Sequence, residues 1–254
     1  MIQLKKNQEE LTQEVMGKIS LKKDKDNLEK HVVNLSKTVV NLSQKSGVDL
    51  GIVSAKVVVV LDYSASMSEA YKKGVVQRTI NRLVPLGLTF DDNGSIDVYL
   101  FSDEYKKMED LNLSNYETYV NKVILESGFE MKGTSYAPVL SAILNANTRE
   151  NNGLFSFFRK KKSPVFVLFI TDGENFDKSD SDTVIRDSSK MDVFIQFIGI
   201  GYDEFRYLRE LDNMPGRKRD NTGFSKMVLL DNVDDNELYT NVLEQFSRWI
   251  KGLQ

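Results

Sequence analysis

The stretch KVVVVLDYSASM at 56–67 decides the fold. Four consecutive valines and Leu61 form an unbroken apolar run of high β propensity. A strand without polar alternation is one buried on both faces, as at the centre of a parallel α/β sheet. The run stops at Asp62, and Ser64 and Ser66 follow at two-residue spacing. A carboxylate and two hydroxyls thus leave the carboxyl end of a buried strand together, at the edge where open α/β sheets bind ligands. Oxygen donors without His or Cys suit a hard divalent cation such as Mg2+. Capping of the following helix by Asp62 or Ser64 is the plainer alternative.

Two further stretches repeat or complement this grammar. Pro164 opens VFVLFI, a second continuous apolar run, which ends in Thr171-Asp172-Gly173-Glu174. Between the two strands lies Lys132-Gly133-Thr134-Ser135-Tyr136-Ala137-Pro138. Gly133 permits close backbone approach, Thr134 offers a hydroxyl just before a new helix, and Pro138 falls in that helix's first turn, where proline is tolerated. For Thr134 and Ser135, N-capping is again the alternative. If the two runs are adjacent central strands, Asp62 and Asp172 share one edge and Thr134 arrives beside them. The set holds two carboxylates and three hydroxyls, a conjunction that capping does not explain.

Outward from this centre, strands and helices alternate. Val75, Thr79, Leu83 and Leu86 recur at helical spacing, and Pro85 is expected to kink or end that helix. A turn at Asp91-Asp92-Asn93-Gly94 precedes a strand at 96–101, and a short antiparallel edge strand is expected at 105–108. The segment 114–127 reads as a helix with a Ser cap. A helix at 180–190, a strand at 193–199, a helix at 205–211 and a last strand at 224–230 follow. An amphipathic helix with Leu238, Val242, Phe246, Trp249 and Ile250 closes the chain. The expected fold is α/β, a doubly wound, mostly parallel Rossmann-like sheet with helices on both faces. Residues 155–162, with three Phe beside Arg159, Lys160, Lys161 and Lys162, read as a solvated loop or a secondary contact surface for an anionic partner, at the opposite end of the sheet from Asp172.

The first fifty residues differ. Leu28, Val32, Leu35, Val39 and Leu42 alternate by four and three, a seam along one helix face. The seam is short, so packing on the main domain is expected, with a coiled coil to another chain as the alternative. The expected division is a helical extension at 1–50 and an α/β domain at 51–254.

Composition removes whole classes of function. The 254 residues carry a net charge of −3, which gives no general field for nucleic acid or membrane. With no cysteine, disulfides, thiolate catalysis and zinc–sulfur sites are excluded. His31 is the only histidine, so a Ser-His-Asp triad would have to use it. No run has the length of a membrane-spanning helix, and the start MIQLKKNQEEL is charged too early for a secretory signal. A cytoplasmic protein is expected.

D-Y-S-A-S-M at 62–67, G-T-S at 133–135 and T-D-G-E at 171–174 resemble the three parts of a metal-ion-dependent adhesion site. Residues 55–250 resemble a von Willebrand factor A (VWA) domain. The usual first motif is D-x-S-G-S, and Ala65 stands in place of its glycine. The resemblance implies that Ser64, Ser66 and Thr134 bind the metal through their hydroxyls, and that Asp62 and Asp172 help directly or through water. It further implies that a partner protein's carboxylate fills the remaining position. The metal implied is Mg2+, with Mn2+ or Ca2+ as alternatives. More finely, YKKGVVQRTINRLVPLGLTFDDNGSIDVYLF, GTSYAPVL, FVLFITDGEN and FIQFIGIG resemble bacterial VWA proteins of tellurite-resistance and chemical-stress gene clusters. The implied function is a non-enzymatic protein-binding module. Two alternatives stand beside it. One is a haloacid-dehalogenase-type phosphotransferase, which needs a general acid where this chain has Ser64. The other is an assembly protein driven by the N-terminal helix.

Overall fold

β1 (Lys56–Asp62) lies inside a six-stranded sheet of order β3-β2-β1-β4-β5-β6. Its neighbours are β2 (Asp97–Phe101) and β4 (Val165–Thr171), both parallel to it. β5 (Val193–Ile200) and β6 (Thr222–Met227) continue the parallel order, while the short β3 (Tyr105–Lys107) runs antiparallel along β2. This computed structural model describes residues 7–19, 25–148, 163–173, 175–227 and 233–253. The basic loop at 155–162 lies outside the described residues.

The valine run divides between two cores because side chains alternate across a strand. Val57 and Val59 face a layer formed by α1 (Gln8–Ile19), α2 (Lys25–Ser46), α4 (Val75–Phe90) and α8 (Asp235–Lys251). Val58 and Val60 face α5 (Ala137–Thr148), α6 (Lys178–Ser188) and α7 (Arg206–Asp212). Phe101, Tyr136 and Phe169 interlock in the second core, with ring centroids 4.8 to 5.7 Å apart. The expected doubly wound sheet with helices on both faces is present. No helix among the described residues is long and apolar enough to cross a membrane.

Two local expectations are corrected, and at Pro85 one of the two expected outcomes is excluded. Pro85 does not end its helix. α4 runs on to Phe90 because Leu83, Val84, Leu86, Leu88 and Phe90 are buried in the first core. The helix instead breaks earlier, at Gly74 (φ +71°), which separates α4 from the short α3 (Ser68–Lys72). The segment 114–127 is not a regular helix but a 3-10 turn (Tyr116–Thr118), a π turn (Val120–Ile124) and a second 3-10 turn (Leu125–Ser127). Gln77 explains part of this. Its side chain accepts from the Val120 N–H at 2.8 Å and donates to the Tyr116 carbonyl, taking up backbone groups that a helix would pair. Ser114 is not its cap, because its N–H and hydroxyl both donate to Asn112.

The N-terminal seam packs within the same chain. Leu28, Val32, Leu35, Val39 and Leu42 are all buried, α2 runs along α8, and Gly47 (φ +84°) follows the end of α2. One carboxylate ties three helices together. Asp235 receives Asn34 Nδ2 at 3.1 Å and His31 Nδ1 at 2.6 Å from α2, and Arg82 Nε at 2.8 Å from α4. Burial by itself raises the Asp235 pKa, but hydrogen bonds from His31 and Asn34 and the charges of His31 and Arg82 outweigh it and hold the carboxyl at about 2. Its folded pKa therefore lies below its unfolded value, so its stabilisation is full above about pH 4 and is lost as pH falls towards 2. Asp235→Asn is expected to cost about 2 kcal/mol at pH 7. Urea denaturation should show that difference shrinking steadily as the pH is lowered below 4.

Candidate metal centre

The parallel register of β1 and β4 pairs Leu61 with Ile170, so the next residues, Asp62 and Thr171, stand side by side at the carboxyl edge. Asp62 is fully buried. Its Oδ1 accepts from the Ser64 N–H at 2.8 Å and its Oδ2 from the Thr171 hydroxyl at 2.6 Å. Tyr71 from α3 donates to the Asp62 carbonyl at 3.0 Å. Ser64 Oγ lies 3.0 Å from Ser66 Oγ, and Ser66 Oγ donates to Asp172 Oδ1 at 2.9 Å. Four of the five expected residues thus form one hydrogen-bonded chain across two strand ends.

Thr134 enters through its backbone. The loop that carries it is clipped on one side by Ala65 N–H to the Lys132 carbonyl at 3.2 Å, and on the other by Phe176 N–H to the Thr134 carbonyl at 3.0 Å. Ser135 N–H to the Ser102 carbonyl at 2.9 Å adds a third clip, to the end of β2. Gly133 leaves room for two side chains here. A Cβ on it would lie 2.2 Å from Asp103 Oδ1 and 3.3 Å from the Phe176 ring. Ala65 does not need to be glycine, since it is exposed in a 3-10 turn and lies outside the left-handed region.

The capping alternatives fare poorly. Ser64 makes no side-chain cap to the turn that follows, and the backbone N–H from which Asp62 accepts is that of Ser64, ahead of that turn. At α5 the cap comes from another loop. Asp177 accepts from the Tyr136 and Ala137 N–H groups at 2.9 and 2.8 Å, taking the role offered to Thr134 and Ser135. Asp177 also receives Asn175 Nδ2 at 2.6 Å, so it clamps the loop after β4 to the start of α5. Asp177, Thr171, Tyr71 and Tyr136, whose hydroxyl donates to the Gly173 carbonyl at 2.6 Å, are positioning residues that sequence reading missed. The one visible signal was Asp177 just before a helix. That signal suggests a cap for α6, and Asp177 makes no side-chain cap there.

Electrostatics separates this edge from an ordinary polar cluster. Burial raises Asp62 to about 6, against the lowering effect of the Ser64 and Thr171 hydrogen bonds. Burial also raises Asp172, partly offset by the Ser66 hydroxyl. Among the described residues, no three His, Cys, Asp or Glu side chains gather as a metal-holding group. A cation at this edge would have to be held largely by hydroxyls. The donor set fits such an ion: every side-chain donor is oxygen, two are carboxylates, and Ser64 and Ser66 already converge to 3.0 Å.

The family model for the vWA domain found in the TerF C terminus matches residues 54–254. YcbR of Bacillus subtilis (strain 168), itself described as uncharacterized, is 33% identical over 201 residues, covering 78% of this chain and 79% of that protein. Among solved structures, manganese-loaded TRAP protein of Plasmodium vivax is 16% identical, with a TM-score of 0.50 over 76% of this chain and 73% of that one. Proximal thread matrix protein 1 from the mussel byssus, solved with a zinc-occupied MIDAS motif, is 18% identical with a TM-score of 0.49. The match covers 77% of this chain and 46% of that protein, so the chain spans about half its length.

The raised Asp62 pKa has a measurable consequence. A carboxyl whose folded pKa exceeds its unfolded value costs stability above the folded pKa, and the cost fades as pH falls to the unfolded value. In chelator at pH 7.5, Asp62→Asn is expected to stabilise the fold by about 2 kcal/mol. Chemical denaturation should show the advantage fading between pH 6 and pH 4.

Proposed function

The chain belongs to the TerF-like von Willebrand factor A family, and from that premise we propose that it is a metal-dependent protein-binding module. The observation that carries this reading is the oxygen-only chain joining Asp62, Ser64, Ser66 and Asp172, with the Thr134 loop clipped beside it. In this reading Ser64, Ser66 and Thr134 hold Mg2+ through hydroxyls, with Asp62 and Asp172 binding directly or through water. Mn2+ and Ca2+ are the alternative ions. The bound ion supplies a positive charge and a position that a partner's carboxylate fills. Residues 51–254 form the module and residues 1–50 a helical extension that braces it. The setting proposed is cytoplasmic, in a response to tellurite or other chemical stress.

Binding is favoured over catalysis by the residue two positions after Asp62. A phosphotransferase of the haloacid-dehalogenase type needs a carboxyl general acid there. This chain has Ser64, whose hydroxyl lies against that of Ser66.

Where Asp62 and Asp172 bind through water, the direct donors are neutral hydroxyls and the ion's positive charge is only partly offset. The ion binds weakly alone and more tightly once an anionic ligand completes its shell. Thermodynamic linkage requires metal to strengthen partner binding by the same factor. Calorimetric titration of Mg2+ with and without an acidic peptide is the test. Thr134→Ala, which removes a neutral donor, is expected to weaken Mg2+ about tenfold, equivalent to about 1.4 kcal/mol. Asp172→Ala, which removes a charge, is expected to cost roughly a hundredfold. Peptide binding that is unchanged in chelator would rule the metal bridge out.

A further inference from the structure

Five large hydrophobic side chains are exposed among the described residues, and two stand apart. Ile52, Tyr105 and Leu125 are 45 to 49% exposed, whereas Phe176 is 84% and Tyr202 80% exposed. Both leave the carboxyl edge of the sheet, Phe176 after β4 and Tyr202 after the adjacent β5.

Phe176 is held outward by rigid neighbours. Asn175 before it is buried and its amide donates to Asp177 at 2.6 Å and Ser181 at 2.9 Å. Asp177 after it is fixed by the two N–H groups at the start of α5. The Phe176 N–H is itself bonded to the Thr134 carbonyl. With both flanks pinned inward, the side chain projects to solvent, and its ring edge lies against Gly133, directly before Thr134. The ring covers a backbone glycine and little else, so its apolar surface contributes little to the core. An exposed aromatic whose backbone is held beside a binding position is the kind of residue enriched at interfaces.

We propose that Phe176 forms an apolar subsite beside the metal centre, and that the partner is a protein segment whose metal-seeking carboxylate is flanked by an aliphatic or aromatic side chain. This rests on the metal-bridge reading above and specifies its partner. A positive ion selects the carboxylate, and the ring next to Thr134 selects the neighbouring residue. The surroundings disfavour a membrane as the occupant. Lys178, Asp203 and Glu204 are exposed within two residues of the two aromatics, so each aromatic stands beside charge in the chain.

The test uses the full chain loaded with Mn2+ and two peptides, Ac-Leu-Asp-Leu-NH2 and Ac-Gly-Asp-Gly-NH2. Paramagnetic broadening of the aspartate β-protons reports binding next to the ion. Both peptides are expected to broaden, with the leucine peptide binding about tenfold tighter. Phe176→Ser is expected to remove that preference while Mn2+ affinity and Tm stay as in the unaltered chain, and Phe176→Leu to restore part of it. Broadening of both peptides with equal affinity, or a preference that survives Phe176→Ser, overturns the apolar subsite and leaves the metal bridge standing. Loss of Mn2+ affinity in Phe176→Ser overturns it too, since the ring would then be a structural roof over Gly133. Bound Mn2+ with no broadening of either peptide overturns the metal bridge, and this inference with it.

Discussion

A carboxylate with no solvent exposure at the end of the central strand is the constraint on which this structure turns. Burying Asp62 is expensive unless its oxygens are satisfied, and the surrounding groups are arranged to do so. Ser64 and Thr171 each donate to a different oxygen, and Tyr71 takes the backbone carbonyl. These donors come from the turn after β1, from the end of β4, and from α3. Satisfying one side chain therefore fixes the β1–β4 pairing and the path of the chain out of both strands. The same path brings Ser66 onto Asp172.

The valine run serves this end. Because it is apolar on both faces, β1 can sit only inside a sheet covered on both sides, and its carboxyl end becomes a place where two strand termini and three loops converge. Backbone clips then do what side chains do not. Thr134 is brought to the edge by N–H to carbonyl bonds on either side of its loop, with Gly133 leaving room for Asp103 and the Phe176 ring.

Much of this was legible in the sequence, and the reason is periodicity. Continuous apolar runs marked β1 and β4, and the four-and-three spacing from Leu28 marked the buried face of α2. The residues brought together at the edge were found because their types and strand-end positions carry the signal locally. What was illegible depends on contacts distant in sequence. Gln77 reshapes the segment at 116–124 from some forty residues away. Asp177 caps α5 across a similar distance. Pro85 reads as a kink or an end of its helix by local rules, and the burial of the residues after it carries α4 on to Phe90. Neither the donor of a cap nor the depth of a helix's packing is written in the neighbouring residues.

Two aspartates show what burial alone does not decide. Asp62 and Asp235 are both withdrawn from water, and burial pushes both carboxyls up. At Asp235 the hydrogen bonds of His31 and Asn34, with the charges of His31 and Arg82, overcome that push and bring the pKa to about 2. At Asp62 the partners are a hydroxyl and an N–H, and the carboxyl stays at about 6. The first carboxylate is neutralised by the protein's own cation and acts as a joint between helices. The second is held in place by neutral donors that orient its charge without cancelling it. A joint gains stability from a complete set of partners, whereas a carboxylate oriented but uncancelled is stabilised most by a cation. The same residue type, in the same fold, is thus finished in one place and receptive in the other, and the difference lies in whether an imidazole, an amide and a guanidinium converge on the carboxylate or only a hydroxyl and an N–H do.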